Sequence, residues 1–317
     1  MPVMRGMGQI GQRMRHAVRA QFPGLYDGMR TAVWQFGSLD RVVSYRLARE
    51  ARVPTATLVD ELRREGIVVR DVGEIFIPGD PLFTAVNDYG HDMWREVSGR
   101  QGREGEQALE AFLTNKRKEF RVHLLPEELP YDHPIVRLAL DDRLLALVNR
   151  YMGMRAYLRA VDLWWDRATD APPKETQLWH RDQDDLRNMK VFLYLNDVDV
   201  DTGPFCFIPR THPRGARRHV YLPDRTTDEQ MQGVFPATEW KVCTGRAGTI
   251  ILCDTCGFHK GLKPKRGNRL MVVLQYTSGA AHNARAFKLH GRPEGALSSA
   301  QTWALQVRPG QLPVSRA

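Results

Sequence analysis

Hydrophobic and polar positions follow two periods along this chain, and the change between them divides it. Up to about residue 151 the apolar residues recur mostly at helical spacing. Met7, Ile10, Met14, Val18 and Phe22 fall on one side of a helix, and Arg5, Arg13, Arg15 and Arg19 make the rest basic, with no acid before Asp27. Gly6, Gly8 and Gly11 weaken that helix. Residues 39–66 read as two helices separated at Pro54. In the second, Leu58, Val59 and Leu62 form an apolar face, Thr57 and Asp60 have capping-box spacing, and Gly66 stands at the stop. Ile67–Arg70 is a strand. Gly73–Pro81 predicts a short hairpin, residues 88–111 predict helix, loop and helix, and Phe120–Leu124 predicts a strand. Residues 134–151 predict one helix, buried through Ile135, Leu138, Leu144, Leu145, Leu147 and Val148 and ended by Gly153.

From Ala156 the pattern turns to short β-rich runs: 156–165, 191–195, 205–208, 245–252 and 270–276, with a turn at Asp201–Pro204. Short strands divided by Gly and Pro predict a sandwich or barrel. A short helix is expected at Ser299–Val307, then a disordered end. The expected organisation is a basic helical extension (1–56), a β domain (57–280) and a tail with a short helix (281–317).

Composition adds little to this. The 317 residues are 42% hydrophobic and 26% charged, as in an ordinary globular protein. No apolar run reaches the roughly 20 residues of a membrane span. Cys206, Cys243, Cys253 and Cys256 follow no secretory signal, so a reducing cytoplasm is expected. The net charge of +9 fits an anionic substrate, a nucleic acid, a membrane surface or simply a basic proteome. The first 36 residues could lie on an anionic bilayer, giving peripheral placement at the inner face of the membrane. They also resemble an Arg-rich mitochondrial presequence. No four-residue turn joins two helices as a helix-turn-helix requires, which argues against DNA binding.

The chemistry centres on Gln177-Leu-Trp-His-Arg-Asp182. On an extended strand His180 and Asp182 share a face. His259 offers a third ligand, at the end of the strand Thr249–Asp254. Two His and a carboxylate with open positions form the facial triad of non-haem Fe(II) oxygenases. Arg269, ten residues on, opens a strand and offers a guanidinium fork to a carboxylate.

These residues, with Asp199-x-Asp-Thr-Gly-Pro-Phe-Cys-Phe-Ile-Pro-Arg-Thr-His212 between them, resemble the phytanoyl-CoA dioxygenase family over roughly residues 57–278. The resemblance implies a double-stranded β-helix, a cupin-like jelly roll with flanking helices, in an α+β or mainly β class. It implies a dioxygenase using Fe(II), 2-oxoglutarate and O2, with His180, Asp182 and His259 as metal ligands and catalytic residues. Arg269 would hold the far carboxylate of 2-oxoglutarate, with release of succinate and CO2. Halogenases on this scaffold usually lack the carboxylate, so Asp182 favours a hydroxylase. Many members carry a hydroxyl residue two positions after the distal histidine. Here that residue is Gly261, and Gln177 and Lys190 are candidate substitutes in binding the co-substrate.

Other readings remain open. Cys253-x2-Cys256 near His259 has zinc-like spacing, but no fourth ligand follows. His212 and His219 read as loop or substrate-wall residues. Arg210, Arg214, Arg217, Arg218 and Arg225 form a basic run that could line a pocket mouth. On that reading Arg210, Arg217 and Arg218 are candidate contacts for an anionic small-molecule or lipid-linked substrate. A non-catalytic binding or regulatory protein on the same fold is the alternative to an enzyme. A nucleic-acid-binding protein is a further alternative, resting on charge alone.

Overall fold

The computed structural model describes residues 32, 37–48, 56–99, 120–279 and 285–306. Its main sheet has six strands, all antiparallel, in the order β1 (Ile67–Asp71), β8 (Thr249–Asp254), β5 (Asn188–Tyr194), β10 (Asn268–Thr277), β4 (Tyr157–Arg167) and β2 (Arg121–His123). A smaller sheet faces it, in the order β7 (Lys241–Cys243), β6 (Phe205–Phe207) and β9 (His259–Gly261). This is an α+β molecule with a jelly-roll core.

Strand alternation sorts the side chains into layers. On β10, Leu270, Val272, Leu274 and Tyr276 pack with helices behind the main sheet. Met271 and Val273 face the other way, joining Phe192, Tyr194, Phe205, Phe207 and Ile251 between the sheets. Burying each such side chain contributes roughly 1.5–3 kcal/mol, so the lumen between the sheets has a rigid apolar lining. Helices α2 (Ala56–Glu65), α3 (Pro81–Gly99), α4 (Pro134–Ala139) and α5 (Asp142–Met152) cover the back. Tyr151 of α5 donates a hydrogen bond of 2.5 Å to Asp254 at the end of β8, tying that layer to the sheet.

The structure revises several expectations. The single helix over 134–151 is two, because the Asp141 side chain accepts from Arg143 N at 2.9 Å and caps a new helix. Gly153 ends it in the left-handed region, at φ 72°. Gly73–Pro81 forms no hairpin: a 3-10 turn, Val72–Glu74, capped by Asp71, leads towards α3. Thr57 lies inside α2, which already runs at Ala56, so it does not cap it. Gly66 ends α2 as expected, at φ 82°.

The C-terminal segment is part of the body. β11 (Lys288–His290) pairs in parallel with β3 (Glu128–Pro130), and α6 (Ser299–Leu305) packs on α5 and β4. The buried Arg41 of α1 (Leu39–Leu47) donates through Nη1 to the carbonyls of Arg155 at 3.0 Å and Trp303 at 3.3 Å. The basic pattern of residues 5–22, Pro54, the second helix expected before residue 111 and the chain end lie outside the described residues.

Candidate metal centre

His259 does not end β8; it opens β9 in the smaller sheet. His180 lies beside it and exchanges two backbone hydrogen bonds with it, of 3.0 and 2.9 Å. Asp182 is already past that pairing, and its N–H donates to Thr255 O at 2.8 Å. The three side chains converge, with ligand atoms all within 4.8 Å of one another. His180 Nε2 is 3.9 Å and His259 Nε2 3.8 Å from the Asp182 carboxylate. The Nδ1 atoms are both engaged, His180 with Leu178 O at 2.8 Å and His259 with Gly257 O at 3.0 Å. That pairing puts the ring proton on Nδ1 and the lone pair on Nε2, the tautomer a metal needs.

Electrostatics point the same way. Burial pushes the pKa of both imidazoles down, so each is neutral and able to ligate. Burial alone would raise Asp182, but the adjacent Lys190 ammonium holds the carboxyl well below its ordinary range. Lys190 Nζ sits 2.7 Å from Asp182 Oδ2, and Asn188 Nδ2 lies 3.4 Å from the same oxygen. A buried set of two neutral imidazoles and one carboxylate fits a divalent cation such as Fe(II). Lys190 is the charge such an ion would displace.

Along the lumen from this group lies Arg269, 1% exposed. Its Nη2 pairs with Asp166, while Nε and Nη1 are buried without a partner among the described residues. Each unmet buried donor costs about 1–3 kcal/mol, so this guanidinium has room for a second carboxylate. Asp166 also takes a two-point contact from Arg121, at 2.6 and 2.9 Å, and Arg121 stacks on Trp164 at 3.7 Å. Burial would raise Asp166, but the two guanidiniums bring it down to about 2. Gln177, 5% exposed, has an unpaired Nε2, and the neighbouring Thr176 accepts from Arg121 Nη1 at 3.4 Å. These donors fit the far carboxylate of a dicarboxylic keto acid. A Cβ at Gly261 would stand 2.9 Å from Arg269 Nη2, so the guanidinium fills the space a hydroxyl side chain would need.

A model of the phytanoyl-CoA dioxygenase (PhyH) family matches residues 88–265, more than half of the chain. The chain belongs to the phytanoyl-CoA dioxygenase family. As a member it is a 2-oxoglutarate-dependent oxygenase, with iron and 2-oxoglutarate as cofactors. Among solved structures, this family member resembles EctD from S. alaskensis with 2-oxoglutarate and 5-hydroxyectoine: 18% identity, TM-score 0.52, 81% of this chain and 89% of that one covered. EctD with bound Fe gives 15%, 0.52, 82% and 85%. HygX from Streptomyces hygroscopicus, with nickel, 2-oxoglutarate and hygromycin B, gives 18%, 0.45, 70% and 87%. At such identities the likeness to EctD is one of fold. No curated protein sequence matches the chain.

The remaining sequence candidates of this oxygenase fall elsewhere. Arg210 pairs with Glu65 at 2.9 Å, Arg217 pairs with Glu239, and Arg218 donates to Gly215 O at 3.3 Å, so none of the three has its partner at the metal group. Arg214 donates to the Tyr151 and Met152 carbonyls of α5. His212 is fully buried, with Nε2 2.9 Å from Arg63 O, a structural role. All four cysteines are free and buried, and none joins a metal group among the described residues. Asp166 and Arg121 were missed. They meet only because β2 pairs with β4, with Arg121 opposite Asp166, a neighbourhood that the sequence alone does not show.

Proposed function

We propose that this protein hydroxylates a small-molecule or lipid-linked substrate bearing a negative charge, with Fe(II) held by His180, Asp182 and His259 and 2-oxoglutarate held by Arg269. The convergence of the three ligands, from separate places in the chain, carries this reading. The bound iron and keto acid would supply oxidative decarboxylation and a hydroxylating oxidant. The chain's own residues do the rest. His180 and His259 present Nε2 because the Leu178 and Gly257 carbonyls hold the Nδ1 protons. Asp182 remains ionised, and Lys190 neutralises it when no cation is present. Arg269 orients the keto acid, and the apolar lining of Phe192, Tyr194, Met271 and Val273 excludes water. The intact carboxylate favours hydroxylation over halogenation.

We further read the enzyme as a cytoplasmic protein that can rest on an anionic membrane. Four buried thiols suit a reducing compartment. α1 exposes Leu39, Val43 and Leu47, each four residues from the last, next in sequence to the basic first 36 residues.

The test is succinate formation from 2-oxoglutarate with Fe(II), with bound iron measured in parallel. Wild type is expected to form succinate. Asp182→Ala and His259→Ala should bind iron poorly and lose at least about a hundredfold in rate. Arg269→Ala should raise KM for 2-oxoglutarate roughly tenfold or more, as loss of a charge-assisted contact implies. Wild type that binds iron but makes no succinate would favour the binding-protein alternative.

A further inference from the structure

His180 meets β9 in an isolated antiparallel bridge, through its two backbone hydrogen bonds with His259. A pairing that short fixes register weakly, and a slip of one residue would turn the His180 imidazole to the opposite face. The two imidazoles nevertheless stand with ring centroids 4.2 Å apart. Residues one step along an antiparallel pair face the other way. Here they are Trp179 and Lys260, and both are sealed, at 0% and 3% exposed. The Lys260 ammonium lies 5.0 Å from the centre of the Trp179 ring and 5.5 Å from that of Trp240. Asp228 opens the short helix Asp228–Gln232, and one of its oxygens accepts from both residues: from Trp179 Nε1 at 2.8 Å and from Lys260 Nζ. Thr226, just before that helix, exchanges two backbone hydrogen bonds with Trp179, of 2.9 and 3.0 Å.

We propose that Lys260 is a positioning residue of the metal centre: paired with Asp228 and packed on Trp179, it locks the register that puts the His180 and His259 imidazoles on one face. This rests on the assignment of the metal to His180, Asp182 and His259. Packing does not explain a lysine here. The outer layer of the smaller sheet is apolar, with Cys206, Ile208, Met231, Phe235 and Phe258. Cys206 is the cross-strand partner of Lys260 on β6. In such a layer a hydrophobic residue of similar volume is often as stabilising as a buried ion pair, or more so, and the best-attested use of a buried pair is to fix register. A clamp through one carboxylate does that. A one-residue shift of the chain at Trp179 would carry its indole N–H away from Asp228 and its ring away from the ammonium. Lys260 and Trp179 point to the face opposite the metal group, so they act on it only through the two histidines.

The experiment is titration of the metal-free protein with Co(II), followed by its visible absorption, with urea unfolding in parallel. Wild type is expected to bind Co(II). Lys260→Met, which keeps much of the volume and removes the charge, should bind it roughly tenfold more weakly or worse, the range for groups that orient metal ligands, and with a changed spectrum. Lys260→Arg, which keeps a cation for Asp228 and the indole, should recover part of both. Leu147→Ala, buried in α5 behind the main sheet, should lose stability in urea yet keep the wild-type affinity and spectrum. A folded Lys260→Met that matches wild type in both overturns the proposal. If Lys260→Met does not fold, Asp228→Asn decides. It keeps an acceptor oxygen for Trp179 but not the charge, and should weaken Co(II) binding roughly threefold or more; undiminished binding overturns the proposal. The two readings fail differently. Wild type that binds no Co(II) sinks the metal assignment and the clamp with it, whereas equal binding by wild type and the clamp variants sinks the clamp alone.

Discussion

A single buried imidazole outside the metal group sets part of the acid sensitivity of the fold. His133 caps α4, its Nδ1 accepting from Ile135 N at 3.2 Å, with Tyr89 edge-on to its ring at 4.4 Å. Burial lowers its pKa from 6.5 to about 4, against the pull of Asp132. The unfolded chain takes up this proton near pH 6.5 and the folded one only near 4. Between those values the unfolded state binds more protons, so the contribution is full above pH 6.5 and is lost as pH falls towards 4. A shift of that size is worth at most roughly 3 kcal/mol. His133→Asn keeps a capping oxygen without the titration. Its urea-unfolding free energy should fall less between pH 7 and pH 5 than that of wild type; equal losses would refute the assignment. At this scale the sequence was informative where spacing is short. His180 and Asp182 announce a shared ion because they are two apart, and Arg269 follows His259 closely. Asp166 was obscured because its meaning depends on which strand lies opposite.

Element boundaries follow local competition for the backbone, and the α4–α5 break shows it. The apolar positions from Ile135 to Val148 continue at helical spacing through the break, so periodicity alone could not reveal it. The carboxylate of Asp141 decides: it takes Arg143 N at 2.9 Å and the Arg143 guanidinium at 2.7 and 2.9 Å, while Asp80 takes the same guanidinium at 2.8 Å. Asp141→Ala should cost about 1–2 kcal/mol of stability, the range for a lost N-cap. A change under about 0.5 kcal/mol in chemical denaturation would show that tertiary packing, not the cap, starts α5. Strands were easier to read than helices here. β4, β5 and β10 are long enough for alternation to register, whereas β9 has three residues and merged with the strand before it.

For the molecule as a whole, the +9 charge is the feature composition could name but not place. Pairs such as Arg210–Glu65 and Arg266–Asp201 cancel and contribute nothing to it. The apolar stripe of α1 is different, with Leu39 57%, Val43 45% and Leu47 78% exposed. Wild type should co-sediment with vesicles containing anionic phospholipid more than with neutral ones, and less as salt rises. Replacing Leu39, Val43 and Leu47 with Ser should reduce the bound fraction several-fold; undiminished binding would remove α1 from the contact. Inside the lumen the charges can be summed. Arg121 and Arg269 against Asp166 leave one positive charge, buried and closed off from water. An oxo acid with a second carboxylate at the right reach cancels it. On the proposed assignment of Arg269 to the co-substrate, pyruvate, too short and with only its keto acid end, would leave that interior ion unneutralised, and selectivity among oxo acids would follow from the sum of three side chains.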